Sequence, residues 1–464
     1  MRHLPALLLW GSLLSAQTLQ ESIEAVLSAA PARAVWGIHV VDLDTGDSLA
    51  AINPAQPLTP ASNTKLFTTA LALLRLGPEH RWQTTVRANA RIDADGTLAS
   101  DLILLGSGDP AFSHIETLAA RLSTLGLRRI TGDVVGDDTL FPWTPYPDGW
   151  TVDDTLYDYG APVSALTLDD NTIVIRLRPG DSPTILTEPS LAYYTFLNSA
   201  RLGAGEENSL RLDRLPGSRV IEISGAIPES GAALRVAVDD PALFAARALA
   251  AALSKFGVTI DGRPRARHRP AIDPPQVHNE TVLLEQPSDP LPDILSTINK
   301  KSHNLQAELV LREVARVAQN DGSLEAALLE LDRFLPQLQI PPDEVHFEDG
   351  SGLSRKTLLS PRAITSLLSF MNTGPNAGVF LSTLPIGNQD GSLQNRFAGL
   401  SGATSIRAKT GSIRHVAALS GYILQSERRR LVFSIIANHA TARPSELRET
   451  IDRIVETILQ QVSP

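Results

Sequence analysis

The sequence contains no cysteine, and only 5% of its residues are aromatic. Without cysteine the chain can form no disulfide bond, no thiolate metal site and no cysteine nucleophile. Positive charge is also scarce, since the formal net charge is −10. Proteins that bind nucleic acid present a basic face to the phosphates, so we expect no nucleic-acid partner. None of the ten histidines lies in an H-E-x-x-H or similar pair, and we expect no metal and no other cofactor.

The N-terminus has the pattern of an export signal. Met1–His3 carries positive charge, and the apolar segment Leu4–Leu14 is too short to cross a bilayer. We predict a signal peptide over residues 1–16 and an exported protein, periplasmic or extracellular, for which loose association with a membrane stays open. After removal of the signal we expect no transmembrane segment. The alternative interpretation of residues 1–16 is a buried N-terminal helix rather than a signal peptide.

Hydrophobic periodicity predicts the secondary structure at both ends of the chain. Strand patterns over residues 34–43 and 48–54 precede an unusually apolar helix that begins at Ala61. Helices return after Asp289, and three strands follow over residues 406–438. A helix with so little polar surface is expected at the centre of a domain. Early strands, a helical middle and late strands together predict one α/β (α+β) domain.

The middle of the chain has a different character. Residues 82–288 contain many short strands between glycine and aspartate turns, and a polar Pro/Arg-rich run over residues 262–276 is interpreted as a connector. We therefore predict a discontinuous domain of residues 17–81 and 289–464, interrupted by an inserted β-rich region of two nested domains. A chain of 464 residues is long enough for two or three domains.

The first motif with chemical meaning is Ser62-x-x-Lys65, at the start of the apolar helix. A spacing of three puts both side chains on one helical face. A serine hydroxyl is a weak nucleophile until a base removes its proton, and lysine can be that base only when it is neutral. Burial and the positive end of a helix both lower the pKa of a lysine. We predict Ser62 as nucleophile and Lys65 as base, although such a motif occurs about once by chance in a chain of this length.

Lysine is rare in this chain, which contains six lysines against 35 arginines. Arginine does not deprotonate in proteins and therefore cannot serve as a base. The chain strongly prefers arginine, yet it has a lysine at position 65 in an apolar helix. This favours the interpretation of Lys65 as a base over its interpretation as an ordinary exposed lysine.

Two further motifs follow along the chain. The Ser-His-Asn sequence of Ser302–Asn304 opens a predicted helix, where serine and asparagine are also common N-caps. The Lys-Thr-Gly sequence of Lys409–Gly411 leads a predicted strand into Ser412. A lysine there supplies positive charge for a substrate carboxylate, and the glycine lets a ligand lie against the strand; the alternative is a simple strand-edge turn. In this order, S-x-x-K, S-x-N and K-T-G are the motifs of β-lactamases and penicillin-binding proteins.

Longer strings show a resemblance to one family. These strings are Asn299–Asn304 with Ala307 and Glu308, Asp349–Arg355 with Ser360 and Pro361, Leu384 and Pro385 with Asp390–Leu393, Gly106–Pro110 and Ile130–Asp133. The chain resembles the class C low-molecular-mass penicillin-binding proteins, the D-alanyl-D-alanine carboxypeptidase/endopeptidase family of serine peptidases. The resemblance implies a β-lactamase/transpeptidase-like domain with a large β-rich insertion between S-x-x-K and S-x-N. A compact β-lactamase has no room for the long gap between Lys65 and Ser302.

The resemblance implies a serine-type D-Ala-D-Ala carboxypeptidase or D,D-endopeptidase that acts on peptidoglycan stem peptides and is acylated by β-lactam antibiotics. By resemblance, the catalytic residues are Ser62, Lys65, Ser302, Asn304 and Lys409, the oxyanion hole is formed by the backbone N–H groups of Ser62 and Ser412, and the substrate-binding residues are Thr410, Gly411, Ser412, Arg355 and Asp138. His303 departs from the family, which more often has aspartate there. This difference bears on the pH response more than on the mechanism.

Two alternative hypotheses stay open. One is a serine β-lactamase or esterase built on the same three motifs. Class A β-lactamases use a deacylating glutamate in an E-x-x-L-N string, and no such string occurs between Ser302 and Lys409. We therefore expect stable acylation by penicillin rather than fast hydrolysis. The other hypothesis is a catalytically inactive peptidoglycan-binding protein.

Overall fold

The computed structural model describes residues 18–31, 33–180, 182–424 and 430–461, and the predicted signal peptide lies outside these ranges. None of the helices in these ranges is long and apolar enough to span a membrane. The α-helices are α1 (Leu19–Ala29), α2 (Lys65–Leu76), α3 (Ile115–Thr124), α4 (Pro241–Lys255), α5 (Leu291–Lys301), α6 (Asn304–Gln319), α7 (Leu324–Phe334), α8 (Pro361–Thr373), α9 (Ala377–Thr383) and α10 (Pro444–Gln461).

The strands are short in the middle of the chain and longer near its ends. They are β1 (Val35–Asp42), β2 (Ser48–Ile52), β3 (Gln83–Ala88), β4 (Thr97–Leu98), β5 (Leu102–Leu105), β6 (Arg129–Ile130), β7 (Val134–Pro142), β8 (Thr172–Arg178), β9 (Thr184–Glu188), β10 (Thr195–Asn198), β11 (Arg201–Leu202), β12 (Arg211–Asp213), β13 (Val220–Ser224), β14 (Ala226–Ile227), β15 (Ala232–Ala237), β16 (Thr259–Ile260), β17 (Pro264–Arg269), β18 (Thr281–Pro287), β19 (Val345–His346), β20 (Leu358–Leu359), β21 (Ile406–Ile413), β22 (Val416–Leu424) and β23 (Arg430–Asn438).

A five-stranded antiparallel sheet joins the two ends of the chain. Its strand order is β2-β1-β23-β22-β21. Strand β1 pairs with β23 along its whole length, from Val35 opposite Asn438 to Asp42 opposite Leu431. The predicted α/β fold class is confirmed, and β21, which carries the Lys-Thr-Gly motif, lies at one edge of this sheet.

Side chains of β22 alternate between two hydrophobic layers, as the period of a strand requires. Leu419 and Ile423 are buried in a cluster with residues of α1 and α10. Ala418 and Tyr422 are buried in a second cluster with residues of α2 and α8. The sheet is therefore covered by helices on both faces, and each fully buried leucine or isoleucine contributes about 2 kcal/mol to its packing.

Helix α2 lies in the middle of the second layer. Its residues Lys65–Leu73 are all buried, and it contacts α5, α6, α7 and α8. A single 3-10 turn, Ala61–Thr64, precedes it and packs against β21 and β22. The apolar helix predicted from Ala61 is thus observed, and its N-terminus meets the strand that carries Lys409.

Residues 83–287 form several other sheets. The largest has the strand order β17-β7-β5-β3-β18, and α3 and α4 contribute to the hydrophobic cluster beside it. Among the described residues, no strand of this region pairs with the central five-stranded sheet. The domain boundaries around this region and its division into two nested domains stay predictions.

The Pro/Arg-rich run interpreted as a connector contains β17, which pairs in parallel with β7. The interpretation was therefore wrong for Pro264–Arg269. A run of arginines with no known carboxylate partner suggests an exposed loop. In the structure Arg265 has two such partners, since it lies 2.8 Å from both Asp101 and Asp133. Carboxylates distant in the sequence thus neutralise the charge of this edge strand.

Candidate active site

Ser62 lies in the 3-10 turn that leads directly into α2 at Lys65. Side chains three residues apart eclipse each other in such a turn, and Lys65 Nζ lies 2.8 Å from Ser62 Oγ. Lys65 is fully buried, whereas Ser62 is only partly buried. The structure therefore brings the predicted nucleophile and base into hydrogen-bond contact, with the lysine beneath the serine.

Two carbonyl oxygens complete the surroundings of Lys65. Asn304 Oδ1 and the backbone oxygen of Ser351 each lie 2.6 Å from Lys65 Nζ. A carbonyl oxygen can accept a hydrogen bond but cannot donate one. When Lys65 is neutral, these oxygens take its two N–H groups, and its lone pair is left to accept the proton of Ser62. These contacts allow a neutral Lys65 to act as a base toward the hydroxyl of Ser62.

The electrostatics of Lys65 agree with this geometry. Burial lowers its pKa to about 7, against the opposing effect of the carboxylates of Asp349 and Glu308. An unperturbed lysine, with a pKa of about 10.4, is neutral in fewer than about one molecule in a thousand at neutral pH. The buried Lys65 is neutral in a large fraction of molecules under the same conditions.

A second buried lysine faces the serine of the S-x-N motif. Ser302 lies between α5 and α6 with a left-handed backbone, φ 60°. Lys409 Nζ donates to Ser302 Oγ at 2.8 Å and to the backbone oxygen of Thr410 at 2.9 Å. Burial, and then repulsion by Lys65, lowers the pKa of Lys409 well below its usual value.

The asparagine of the motif joins α6 to the segment between β7 and β8. Asn304 Nδ2 donates to the backbone oxygen of Tyr159 at 2.8 Å, on the other side of the amide from Lys65. The N-cap role considered for this motif is taken by His303, whose Nδ1 accepts from the backbone N–H of Gln306 at 3.4 Å. His303 Nε2 lies 3.1 Å from Asp170 Oδ1.

Gly411 has a packing role that its sequence pattern did not predict. A Cβ atom there would lie 2.6 Å from the backbone oxygen of Pro60, so the glycine lets β21 approach the turn that carries Ser62. Its contact with a ligand stays a prediction. Thr410 Oγ1 donates to Ser392 Oγ at 2.8 Å, and Ser412 is exposed.

A cleft of about 650 Å³ opens over Ser62. Among the predicted site residues it is lined by Ser62, Ser302, Asn304, Arg355 and Ser412. The other lining residues were not predicted as site residues: four lie within residues 83–287, two belong to the string Asp349–Arg355, and two directly follow Ser412. They are Thr151, Asp153, Asp154, Tyr159, Gly352, Leu353, Ile413 and Arg414.

Asp138 is not among the residues that line the cleft. It is buried, accepts a hydrogen bond from Ser164 Oγ at 2.8 Å, and lies 2.9 Å from His268 Nδ1. Against the effect of burial, hydrogen bonds to Asp138 and Asp240 raise the pKa of His268 to about 10. Asp138 therefore faces a partly buried cation of strand β17, and the geometry gives no support to its predicted substrate-binding role.

Ser351 was not predicted as a site residue, because its contribution is a backbone carbonyl that any residue type could supply. The fully buried Asp349 shapes the loop that holds this carbonyl. It accepts hydrogen bonds from Ser351 Oγ at 2.9 Å, from Gly352 N at 2.9 Å and from Ser354 N at 2.8 Å. Glu308 on α6 accepts from another backbone N–H of the same loop at 2.9 Å.

The fold and the site together are those of a serine acyl-transfer enzyme, in which a buried lysine faces the predicted nucleophile. A family model described as the D-Ala-D-Ala carboxypeptidase 3 (S13) family matches residues 19–458, and the chain belongs to this family. The resemblance stated from the sequence is confirmed, and with it the expectation of a serine-type D-Ala-D-Ala carboxypeptidase.

Known relatives agree with the family in sequence and in fold. The chain is 33% identical over 455 residues to a D-alanyl-D-alanine carboxypeptidase of Actinomadura sp. (strain R39). The aligned region covers 93% of this chain and 83% of that protein. The chain is 25% identical over 409 residues to the D-alanyl-D-alanine carboxypeptidase DacB of Haemophilus influenzae, with 86% and 84% covered. The crystal structure of penicillin-binding protein 4 (dacB) from Haemophilus influenzae matches in fold with a TM-score of 0.83, at 24% identity and with 95% and 98% covered.

Proposed function

We propose that this protein is exported and hydrolyses the peptide bond between the two terminal D-alanines of peptidoglycan stem peptides, through an acyl-enzyme on Ser62. β-Lactam antibiotics acylate the same serine. The observation that carries the proposal is the position of Lys65 Nζ, which lies 2.8 Å from Ser62 Oγ and 2.6 Å from each of two carbonyl oxygens. A neutral amine in this position donates to the two carbonyls and keeps its lone pair for the Ser62 proton.

Acylation begins with proton transfer from Ser62 Oγ to Lys65 Nζ. The Ser62 oxygen then bonds to the carbonyl carbon of the penultimate D-alanine, and the carbonyl oxygen becomes an oxyanion. The backbone N–H groups of Ser62 and Ser412 stabilise that oxyanion. Each such donor contributes about 3 kcal/mol to the stability of the transition state.

Expulsion of the terminal D-alanine requires a proton on its nitrogen. Ser302 Oγ, held by Lys409 at 2.8 Å, donates its proton to the leaving nitrogen. Lys409 returns a proton to Ser302 and takes up the one that Lys65 removed from Ser62, so that one proton in total moves from Ser62 to D-alanine. The C–N bond breaks, D-alanine leaves, and the acyl group remains as an ester on Ser62. Lys65 is then neutral again and removes a proton from water, whose oxygen bonds to the ester carbon. The bond from that carbon to Ser62 Oγ breaks, Lys65 returns the proton to Oγ, and the shortened peptide leaves with a free carboxyl group.

The substrate carboxylate completes the charge balance of the site. Lys65 and Lys409 repel each other when both are charged. A carboxylate bound at the Thr410 and Ser412 hydroxyls favours the ammonium form of Lys409, which keeps Lys65 neutral and able to act as base. Arg355, exposed at the cleft, contacts the distal part of the peptide.

A D,D-endopeptidase activity on cross-linked stems is the second candidate. A second cavity of about 490 Å³ shares Tyr159, Ser302 and Asn304 with the cleft. This space supports a substrate with more chain on one side of the scissile bond than a single D-alanine. A predatory peptidoglycan endopeptidase of Bdellovibrio bacteriovorus, Bd3459, has a similar fold, with a TM-score of 0.53 at 15% identity.

Digestion of purified muropeptides by the wild type and by Ser62→Ala, read by mass spectrometry, tests both candidates. Loss of single alanines from monomeric stems indicates the carboxypeptidase, and conversion of cross-linked dimers to monomers indicates the endopeptidase. Equal products from the two proteins refute both. Labelling with fluorescent penicillin separates the remaining alternatives: a stable label on Ser62 excludes an inactive binding protein, and rapid loss of the label indicates a β-lactamase.

A further inference from the structure

One segment of the inserted region reaches the catalytic residues at two points. It runs from Trp150 to Gly160, between β7 and β8. The indole Nε1 of Trp150 donates to Asp349 Oδ2 at 3.1 Å. The backbone oxygen of Tyr159 accepts from Asn304 Nδ2 at 2.8 Å. Both bonds join residues that lie far apart in the sequence.

The bond from Trp150 supports the loop that contacts Lys65. Asp349 is fully buried, and its carboxylate holds the loop whose Ser351 oxygen accepts from Lys65 Nζ. A buried carboxylate needs donors for both of its oxygens. Trp150 is a donor from outside the loop, so it ties the loop to the inserted region.

The bond to Tyr159 decides which way the amide of Asn304 points. The Tyr159 carbonyl can only accept, so it requires the amino group of Asn304 on its side. The amide oxygen is then turned toward Lys65, where it lies 2.6 Å from Nζ. A flipped amide would present N–H to the lysine and lose both bonds.

The position of the segment is closely determined. A Cβ atom on Gly149, just before the segment, would lie 2.3 Å from Ser354 Oγ in the Asp349 loop. A Cβ atom on Gly160 would lie 2.2 Å from the backbone oxygen of Asp154 within the segment. Glycine therefore permits a close approach to a side chain at position 149 and to the backbone at position 160.

We propose that Trp150 and Tyr159 are positioning residues for the reaction, which hold the two carbonyl oxygens that orient Lys65 toward Ser62. The inserted region therefore completes the catalytic centre of the discontinuous domain. This inference rests on the proposed function, because it requires Lys65 to act as the base of Ser62.

The test compares Trp150→Phe, which removes the indole N–H and keeps an aromatic ring, with the wild type. The rate constant of penicillin acylation is measured per titrated active site across the pH range, together with the melting temperature. We expect a fall of about tenfold in the plateau rate constant, since small displacements of a reacting group reduce rates by one to two orders of magnitude. Trp143→Phe is the matched control: Trp143 precedes the segment and stacks on His268 at a centroid distance of 4.2 Å, and we expect the wild-type rate.

If Trp150→Phe does not fold, a second variant tests the same proposal. Gly160→Ala displaces the Tyr159 carbonyl and should reduce the same rate constant, whereas Gly180→Ala, whose nearest neighbour would lie 3.7 Å away, should not. A wild-type rate per titrated site in both Trp150→Phe and Gly160→Ala overturns the inference, even where fewer molecules are active, because a purely structural role changes only the active fraction. Absence of any label on the wild type would instead refute the proposed function.

Discussion

A Cβ atom on Gly352 would lie 1.9 Å from the backbone oxygen of Ala61. Both residues have left-handed backbones, with φ of 74° at Gly352 and 48° at Ala61. Ala61 directly precedes Ser62, and Gly352 directly follows Ser351. The contact therefore joins the backbone next to Ser62, the proposed nucleophile, to the loop whose Ser351 oxygen contacts Lys65. It exists only because position 352 has no side chain.

Gly352→Ala should separate these two elements. We expect a loss of about 1–3 kcal/mol in the free energy of unfolding, from the strained backbone and the close contact, and a lower rate of penicillin acylation per active site. Gly374→Ala is the control, because a Cβ there has nothing within 4 Å. Acylation at the wild-type rate in Gly352→Ala would show that the contact does not matter for the site.

Lys65→Arg tests the base directly. Arginine keeps a positive charge and can donate hydrogen bonds, but it does not deprotonate in proteins. We expect acylation by fluorescent penicillin to slow by about 10²–10⁴-fold, the usual contribution of a general base. Lys255→Arg is a suitable control, since Lys255 is exposed and pairs only loosely with Glu116 at 3.7 Å. Rapid labelling of Lys65→Arg would contradict the assignment of Lys65.

The sequence predicted the side chains of the site better than its backbone groups. Ser62, Lys65, Ser302, Asn304 and Lys409 could be found because their chemistry depends on residue type and their spacing is typical. The carbonyl of Ser351 and that of Tyr159 could not be found, since a backbone oxygen leaves no signature in the sequence. Their positions result from tertiary contacts over long sequence separations.

The fold shows the same division. The strands of the central sheet and its apolar helix follow from local periodicity. Strand β17 was missed because its arginines look unfavourable until their partners are known, and Asp101 and Asp133 lie more than a hundred residues away. Asp138 shows a different limit: the resemblance implied a ligand contact, which stays a prediction, and nothing in the sequence indicated that tertiary packing buries this aspartate beside His268.

The pH dependence of acylation should follow Lys65. Its pKa of about 7 means that the base is protonated and inactive at lower pH and becomes neutral as the pH rises through this value. The rate constant should therefore increase with pH and level off about one unit above pH 7. A rate that falls over the same range would contradict Lys65 as the base. The measurement is the rate of penicillin acylation as a function of pH.

Glu308→Gln should move this pH profile to lower pH. The charge of Glu308 raises the pKa of Lys65, so its removal favours the neutral amine at a lower pH. Burial raises the pKa of Glu308 itself to about 7, and the shift should therefore be smaller than for a carboxylate that is always ionised. Glu116→Gln, an exposed site, should leave the profile unchanged, and a shift of the Glu308→Gln profile to higher pH would be inconsistent with the electrostatics.

His303→Asp should destabilise the contact between α6 and the inserted region. His303 Nε2 lies 3.1 Å from Asp170 Oδ1. Burial raises the pKa of Asp170, but the hydrogen bond to His303 and the charges of His303 and Arg235 outweigh this effect and lower the pKa. An aspartate at position 303 would still cap α6, but it would place a second carboxylate beside the first. We expect a loss of about 1 kcal/mol in the free energy of unfolding at neutral pH, a modest value because both side chains are partly exposed.

The sign of the pH dependence distinguishes this repulsion from a simple loss of packing. The pKa of Asp170 is lowered in the folded protein. Its favourable contribution to the free energy of unfolding is therefore present at neutral pH and is lost as the pH falls through the pKa of the folded state. In His303→Asp the repulsion disappears when the carboxylates become protonated. The difference from the wild type, measured by urea unfolding, should therefore be largest at neutral pH and smaller in acid. His303→Asn keeps a neutral N-cap and loses the contact with Asp170 without adding a carboxylate. Its difference from the wild type should therefore have the same sign as that of His303→Asp and be smaller. An equal loss for His303→Asp at both pH values would mean that packing rather than charge connects His303 to Asp170.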